Sequence, residues 1–213
     1  TSYQACCGKT LCAGCLHADR IENSRIICPF CRAPLVTSEG EYIKMVEKRV
    51  EADDAVAMCS LGGHYSDGVM GLRQNTAKAM KLWLRAGELG CTEGHHNAGA
   101  AYVAGRGVVR DKKKAHHYYA LAAMGGDALA RYNLGIFEGQ AGNMNRAMKH
   151  FMIAAKAGDD ESLKAIREGF LRGLVTKDDF ETALRAHQKV TDEIKSEQRE
   201  AAAAYFGYSQ NKE

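Results

Sequence analysis

The sequence predicts an all-α solenoid of helical repeats that follows a small cysteine-rich segment at the N-terminus. Three observations support this fold class. A helical pattern of small and aromatic residues recurs along the chain at offsets of 36 and 32 residues. Both prolines, Pro29 and Pro34, lie near the N-terminus, so the remainder can run as helix broken by glycine. Six of the eight cysteines fall within the first 31 residues, which sets that segment apart.

Composition and charge narrow the classes of protein and of partner. The chain has 213 residues, 46% of them hydrophobic and 26% charged, which excludes collagen-like and disordered proteins. The 29 Lys and Arg exceed the 26 Asp and Glu by only 3, so we expect no nucleic acid partner. No apolar run reaches the roughly 18 residues that a membrane-spanning helix needs. Partners are therefore expected to be proteins.

The chain opens at Thr1 without an initiator methionine, and we interpret it as a fragment of a longer protein. Cysteines that bind a metal rather than form disulfides would suit a reducing compartment, such as the cytoplasm or the nucleus.

The cysteine-rich segment contains two C-x2-C motifs, Cys12 to Cys15 and Cys28 to Cys31, separated by twelve residues. Each motif can place two thiolates on one tetrahedral metal ion. Zinc is the expected ion, because it accepts four sulfur ligands and has no redox chemistry. A redox-active C-x2-C and free thiols are the alternatives, but the βαβ pattern of a redox protein is missing around these motifs.

Residues 6–15, followed by Cys28-Pro29-Phe30-Cys31-Arg32, resemble the second part of a RING zinc finger. Fingers of that family hold two zinc ions with alternating ligand pairs, and the family's first C-x2-C is absent here. The resemblance implies that Cys12 and Cys15 share one zinc with a pair upstream of Thr1. It implies that Cys28 and Cys31 share the other zinc with residues between Cys6 and Lys9.

Lys9 stands where most RING fingers have a histidine, and a protonated lysine cannot bind a metal. The resemblance therefore favours Cys6 and Cys7 as this ligand pair, as in all-cysteine RING fingers, with His17 as an alternative in a non-standard arrangement. The finger spans residues 1–36 in this interpretation. Its zinc ligands are Cys6, Cys7, Cys12, Cys15, Cys28 and Cys31.

RING-type ubiquitin ligases dock a ubiquitin-loaded conjugating enzyme and hold the ubiquitin in a reactive geometry. The resemblance places Pro29 in the apolar docking groove, Leu16 beside it, and Arg32 as a cation that bridges both partners. The alternative treats Pro29 as a turn former and Arg32 as a solvated charge, with zinc in a purely structural role.

The repeats begin after a helix that starts near residue 39, where Ser38 and Glu41 form a capping box. Three later helices carry the recurring pattern, with an aromatic residue between alanines and a glycine at the end. The copies are Ala79, Trp83, Ala86 and Gly90; Ala115, Tyr119, Ala122 and Gly126; and Ala147, Phe151, Ala154 and Gly158.

A preceding helix in each pair is marked by a glycine that permits close approach of two backbones, namely Gly62, Gly99, Gly135 and Gly169. Gly90, Gly126 and Gly158 suit left-handed helix C-termini, and Asp127 and Asp159 follow as candidate N-caps.

Residues 104–111, Ala-Gly-Arg-Gly-Val-Val-Arg-Asp, together with the Ala-Ala-Met-Gly-Gly at 122–126, resemble a Sel1-like repeat, a relative of the tetratricopeptide repeat. The resemblance covers roughly residues 46–170 and implies a right-handed solenoid, which we place at 39–175. It is weaker in the third copy, where Glu138 occupies the usual aromatic position. A RING finger followed by Sel1-like repeats resembles a protein family abundant in diatoms.

The C-terminal segment, 176–213, opens with a second capping box at Thr176 and Asp179. We expect a long amphipathic helix that caps the solenoid. Its apolar side is predicted to carry Phe180, Leu184, His187, Val190, Ile194 and Tyr205.

The remaining signals are weaker. The adjacent histidines at 95–96 and 116–117 point about 100° apart on a helix, so we expect no metal site there. Cys59 and Cys91 are predicted to be small buried hydrophobic residues. Such arrays often bind a peptide on their concave face, and the candidates here are Tyr102, Arg106, Arg131 and Asn133.

No phosphate-binding glycine loop, nucleophile elbow or paired carboxylates point to small-molecule catalysis. The leading hypothesis is an adaptor-type ubiquitin ligase, in which the repeats hold a protein client and the finger recruits a ubiquitin-conjugating enzyme. The competing hypothesis is a non-catalytic scaffold with a purely structural zinc finger.

Overall fold

The computed structural model describes residues 2–23, 27–34, 36, 38–195 and 201. Within these residues the chain forms a short β-hairpin and a row of antiparallel helices, so the predicted all-α repeat architecture is confirmed. The elements are β1 (Ser2–Gln4), β2 (Lys9–Leu11), α1 (Ala13–Asn23), α2 (Glu39–Glu51), α3 (Ala55–Asp67), α4 (Thr76–Glu88), α5 (Thr92–Ala104), α6 (Lys112–Met124), α7 (Ala128–Gln140), α8 (Met144–Lys156), α9 (Asp160–Leu171) and α10 (Lys177–Ile194). Among the described helices, none combines the length and the apolar character needed to cross a membrane.

The two helices of each pair approach closely at the predicted glycines. A Cβ atom added to Gly62 would lie 2.6 Å from the indole nitrogen of Trp83. A Cβ atom on Gly99 would lie 2.8 Å from the ring of Tyr119. Both aromatic side chains are buried, so each fills the space that the missing glycine side chain leaves. The pairs α3/α4, α5/α6 and α7/α8 therefore share one packing rule.

The helix ends follow the predicted chemistry. Asp127 Oδ1 accepts a hydrogen bond from the Ala130 N–H at 2.7 Å, and Asp159 Oδ1 accepts one from the Ser162 N–H at 2.7 Å. Glycines follow the ends of α4, α6 and α8 with φ values of 92°, 94° and 93°. Ser38 caps α2 in the same way, through a bond from the Glu41 N–H at 3.2 Å.

The third repeat keeps the stack although Glu138 replaces an apolar residue. The Glu138 side chain is only 8% exposed, and it is satisfied by two neighbours. Arg146 lies 3.2 Å away in an ion pair, and the Asn143 side-chain amide donates a hydrogen bond at 2.9 Å. A buried charge with these partners is tolerated, which explains how the sequence departs from the pattern without breaking the array.

The last helix, α10, packs against α8 and α9 as a cap, but the buried residues on its face differ in part from those predicted. Phe180 stacks on Phe170, with ring centroids 5.1 Å apart, and His187 is buried beside Asp160 at 2.9 Å. Leu184 was predicted on this face and is 42% exposed, because the helix turns Ala183 inward instead. Tyr205 and the side chain of Ile194 lie outside the described residues.

Candidate metal centre

The first half of the centre is the turn of the β1–β2 hairpin. The strands pair antiparallel, with Gln4 opposite Lys9, so residues 5–8 form the loop between them. The Gly8 N–H donates to the Gln4 carbonyl at 2.8 Å, and Gly8 adopts a φ of 72° that favours glycine. Cys6 and Cys7 therefore project from a tight turn whose backbone is already hydrogen-bonded.

The second half is the turn formed by Cys28-Pro29-Phe30-Cys31. The Cys28 N–H donates to the Ala33 carbonyl at 2.8 Å, and the Arg32 N–H donates to the Cys28 carbonyl at 2.9 Å. Arg32 closes the turn in the left-handed region, with a φ of 59°. This backbone places the sulfurs of Cys28 and Cys31 on the side facing the hairpin.

The two turns bring four cysteine sulfurs together. The Sγ atoms of Cys6, Cys7, Cys28 and Cys31 all lie within 4.8 Å of one another. Cys7 Sγ is 3.7 Å from Cys28 Sγ, and Cys31 Sγ is 3.4 Å from Cys6 Sγ. Four sulfurs at about 2.3 Å from a tetrahedral zinc are separated by about 3.8 Å, so the cluster could hold one such ion.

The ionisation of these thiols fits a site that needs a cation. Burial, followed by hydrogen bonds with the sulfurs of Cys28 and Cys31, raises the pKa of Cys6. At Cys28 burial acts in the same direction, but bonds from the Cys31 and Phe30 N–H groups outweigh it and lower the pKa to about 7. Four neighbouring thiols ionise together only when a positive ion compensates their charge.

Cys12 and Cys15 form a separate pair. Their sulfurs are 3.1 Å apart at the start of α1, and the Cys15 N–H donates to Cys12 Sγ at 3.2 Å. Neither belongs to the four-sulfur cluster, and neither does His17 on α1. Lys9 is exposed on β2. The structure thus groups Cys6 and Cys7 with the second C-x2-C motif and not with the first. Metal binding by Cys12 and Cys15 stays a prediction.

The three predicted partner-binding residues differ in exposure. Pro29 is partly exposed and Arg32 is exposed, so both present side chains at the surface of the second turn. Leu16 is 7% exposed, so its side chain is largely buried, and its role in partner binding stays a prediction. The prediction overlooked Phe30, which is 48% exposed between the two cysteines of its turn. Its position inside the C-x2-C motif was the available signal, since an apolar residue in a two-residue spacer has little room to be buried.

The hairpin is anchored to the first helices of the array by a hydrogen-bonded carboxylate. Asp54 Oδ2 accepts a bond from the Tyr3 hydroxyl at 2.8 Å and bonds from Arg49 Nε and Nη2 at 3.0 and 2.8 Å. Asp54 Oδ1 caps α3 by accepting from the N–H groups of Val56 and Ala57, both at 3.1 Å. One carboxylate therefore joins the cysteine-bearing hairpin, α2 and α3.

The partners of Asp54 favour its charged, carboxylate form. Burial acts to raise the pKa of Asp54, but bonds from the Ala57 N–H, Tyr3 and Arg49 outweigh it, and the pKa lies below its ordinary value. Apolar packing also joins the hairpin to α2, because Ala5 belongs to the same buried cluster as Ile43 and Val46. Sequence reasoning missed this junction, since Tyr3 and Asp54 are 51 residues apart.

A second feature of interest is a cavity of about 380 Å³ between the second and third repeats. It contains two of the four predicted peptide contacts, Tyr102 and Asn133, with Ile136 and Phe137 among its apolar walls. Arg110 and Lys112 are exposed at its edge.

The other two predicted peptide contacts lie elsewhere. Arg106 lines a smaller cavity of about 180 Å³ between the first and second repeats. Arg131 donates to the Ala123 carbonyl at 2.9 Å, so its guanidinium already has a structural partner. The histidine pairs form no metal-binding group within the part of the chain that the structure describes.

Comparison with known families accounts for the array. Three consecutive stretches, residues 55–91, 92–127 and 128–159, match the family model of the Sel1 repeat. Residues 55–159 are Sel1 repeats. Each repeat corresponds to one helix pair, α3/α4, α5/α6 or α7/α8. Since arrays of this kind bind proteins, the chain has the architecture of a protein-interaction scaffold.

A curated relative is the ERAD-associated E3 ubiquitin-protein ligase component HRD3B of Arabidopsis thaliana, 32% identical over 113 residues. The match covers 53% of this chain and 18% of the relative, so the chain spans less than a fifth of that protein.

Two solved structures share the fold. One is a Sel1 repeat protein from Oxalobacter formigenes, with a TM-score of 0.61 and 21% identity over 84% of this chain and 72% of the other. The other is a protective antigen of uropathogenic Escherichia coli displaying an SLR fold, with a TM-score of 0.63 and 20% identity over 94% of this chain and 42% of the other.

Proposed function

We propose that this chain is an adaptor in ubiquitin ligation, in which a RING-type finger recruits a ubiquitin-conjugating enzyme and the Sel1 repeats hold a protein client. The observation that supports this most is the alternation of cysteine pairs. Cys6 and Cys7 cluster with Cys28 and Cys31 and leave out the pair between them. A simple zinc knuckle would join the two C-x2-C motifs, whereas the interleaved order is that of a RING finger.

Zinc is the cofactor that suits the four sulfurs, since an all-thiolate tetrahedral set favours it over harder ions. The ion would supply no covalent chemistry in this role. It would hold the hairpin turn and the second turn together, and so fix Pro29 and Arg32 at one surface. Phe30, exposed in the same turn, extends that surface with an apolar side chain.

The client would bind to the repeats. The cavity between the second and third repeats combines apolar walls at Ile136 and Phe137 with the cations Arg110 and Lys112 at its edge. Asn133 offers an amide that can pair with a peptide backbone. This combination suits a client segment that carries an apolar residue next to an acidic one. Support for the ubiquitin role comes also from the curated relative, which is an ERAD-associated E3 ubiquitin-protein ligase component.

The decisive experiment compares zinc content and ubiquitin transfer between the parent protein and its surface variants. We expect Pro29→Ala and Arg32→Ala to leave zinc content unchanged while lowering autoubiquitination at least tenfold. Cys28→Ser serves as the control that removes both. Equal autoubiquitination by the parent and both surface variants would reject the docking role of this turn.

A second candidate function is a scaffold in which zinc only stabilises the N-terminal end of the solenoid. The contact of Tyr3 and Arg49 with Asp54 favours it, because this junction fixes the finger as a cap on the first repeat. Zinc binding without any ubiquitin transfer, together with unchanged client capture by Pro29→Ala, would identify this function instead.

A further inference from the structure

The junction between the first and second Sel1 repeats departs from its neighbours at one position. The first helix of a repeat is capped by Asp54 in α3, Asp127 in α7 and Asp159 in α9. Cys91 occupies the equivalent position before α5, and it makes no side-chain capping bond to the helix backbone. A thiol therefore stands where the other repeats place a carboxylate against the positive end of a helix.

The residue expected to face Cys91 also differs from its equivalent in the next junction. In the next junction His96, five residues after its own N-cap, approaches the following N-cap, with His96 Nδ1 3.3 Å from Asp127 Oδ1. Cys59 is the equivalent residue in the first repeat, five positions after Asp54. Cys91 packs against the buried cluster that contains Cys59. A histidine–carboxylate pair in one junction is thus replaced by a pair of cysteines in the other.

The two thiols have opposite tendencies to ionise. The interaction with the Cys59 thiol outweighs the effect of burial and lowers the pKa of Cys91 to about 6. The same interaction, followed by burial, raises the pKa of Cys59. The Asn97 amide lies 3.5 Å from Cys59 Sγ and completes its surroundings. These shifts favour the thiolate at Cys91 and the thiol at Cys59.

The two cysteines also differ in their exposure to solvent. Cys91 is partly exposed at the start of α5, whereas Cys59 is only 3% exposed inside α3. A small reagent reaches Cys91 first, and Cys59 can react only with a group already on Cys91. The prediction that both are small buried hydrophobic residues holds for the burial of Cys59 and fails for Cys91.

We propose that Cys91 and Cys59 form an oxidation site that a hydroperoxide converts into a disulfide between the first and second repeats. The Cys91 thiolate attacks one oxygen of hydrogen peroxide, the O–O bond breaks, and the products are a sulfenic acid and hydroxide. The Cys59 thiol then attacks the Cys91 sulfur, the S–O bond breaks, and water leaves. The two sulfurs lose two electrons in total, and the peroxide accepts them.

The bond would join the interior of α3 to the start of α5, so it would lock the angle between two neighbouring repeats. The inference does not depend on the proposed function, because neither cysteine belongs to the metal centre or to the client cavity.

The first test measures the reactivity of Cys91 in the full chain. Reduced protein is alkylated briefly with iodoacetamide from pH 5 to pH 9 and digested with trypsin. Cys59 and Cys91 then lie in different peptides, 50–73 and 86–106, each with a single cysteine. We expect alkylation of Cys91 to rise with a midpoint near pH 6, rather than about 8.5 for an ordinary thiol. Cys59 should react at least tenfold more slowly.

The second test treats the protein with hydrogen peroxide and maps its peptides without reduction. We expect a linked pair, 50–73 with 86–106, that has lost two hydrogen atoms. Cys59→Ser should abolish the link and leave a sulfenic acid on Cys91 that dimedone traps. Cys91→Asp is the matched control, because it restores the aspartate cap of the other repeats. It should keep the helical signal and the melting temperature while removing the link.

Two results would overturn the proposal. One is an alkylation midpoint of Cys91 near pH 8.5. The other is oxidation of Cys91 that proceeds to sulfinic acid, or links to another cysteine, while Cys59 stays reduced in the folded protein.

Discussion

The cysteine-bearing segment and the Sel1 array reach a fixed structure by different means. In the array, small residues and aromatic rings are buried in every repeat, from Ala79 and Trp83 to Ala147 and Phe151. In the segment, the buried apolar residues among those described are few, namely Ala5, Leu16 and Cys28. A chain of fewer than about 40 residues seldom folds on such a core without a metal or disulfides. The array is stabilised by packing, and the segment depends on its sulfurs and on its contact with the array.

The largest expected effect therefore comes from the sulfurs. Structural zinc contributes about 10 kcal/mol or more to the folding of small finger domains, so loss of one ligand should unfold the segment. We expect Cys28→Ser to lose zinc in elemental analysis while the far-UV circular dichroism of the helices changes little. Cys59→Ser is the control, since Cys59 lies in α3, outside the cysteine-rich segment. An equal loss of zinc in both variants would contradict metal binding by the four-sulfur cluster.

A smaller effect is expected in the array, from adjacent glycines of α3. Gly62→Ala would force a methyl group against the Trp83 ring, and overpacking of this kind costs about 2 kcal/mol. At Gly63 no atom lies within 4 Å of an added Cβ, so Gly63→Ala should stabilise the helix by roughly 0.5–1 kcal/mol. Urea unfolding measures both. Similar values for the two variants would show that close helix approach does not determine the stability of the repeat.

The junction between the two regions should give the smallest effect. Asp54→Asn keeps a capping side chain but loses the charge that Arg49 and Tyr3 bind, and we expect a loss of about 1 kcal/mol at pH 7. Because the pKa of Asp54 is lowered in the folded protein, its contribution is complete above the unfolded pKa near 3.9. It is lost as the pH falls through the folded value.

Unfolding of parent and variant between pH 7 and pH 3 measures this change. The difference between them should shrink at the acid end. A difference that stays constant over this range would mean that the carboxylate charge does not stabilise the junction.

The array could be predicted from the sequence because its determinants are local and repeated. The glycines, the aromatic residues and the aspartate caps recur at fixed spacing, and each copy supports the interpretation of the others. The prediction of Leu184 on the buried face of α10 is wrong, since this helix has no repeated copies to fix which face turns inward.

The site could be predicted only in part. The resemblance to a RING finger favoured grouping Cys6 and Cys7 with Cys28 and Cys31, but the anchor at Asp54 depends on a contact with Tyr3 that no sequence period encodes. The unusual cap position of Cys91 could also have been predicted from the sequence. Aligning Cys91 with Asp127 and Asp159 was the signal that would have set it apart.

Arg32 closes the turn from Cys28 to Cys31 with a φ of 59°, a left-handed conformation that is unfavourable for most residues with a side chain. Relative to glycine, arginine at such a position costs roughly 1 kcal/mol. The turn is therefore less stable than the same turn would be with glycine at position 32. This loss of stability accompanies the placement of a cation at that surface. Under the proposed function, Arg32→Gly would stabilise the turn and remove the cation used in docking, so the stability of the turn and its proposed docking role change in opposite directions at one residue.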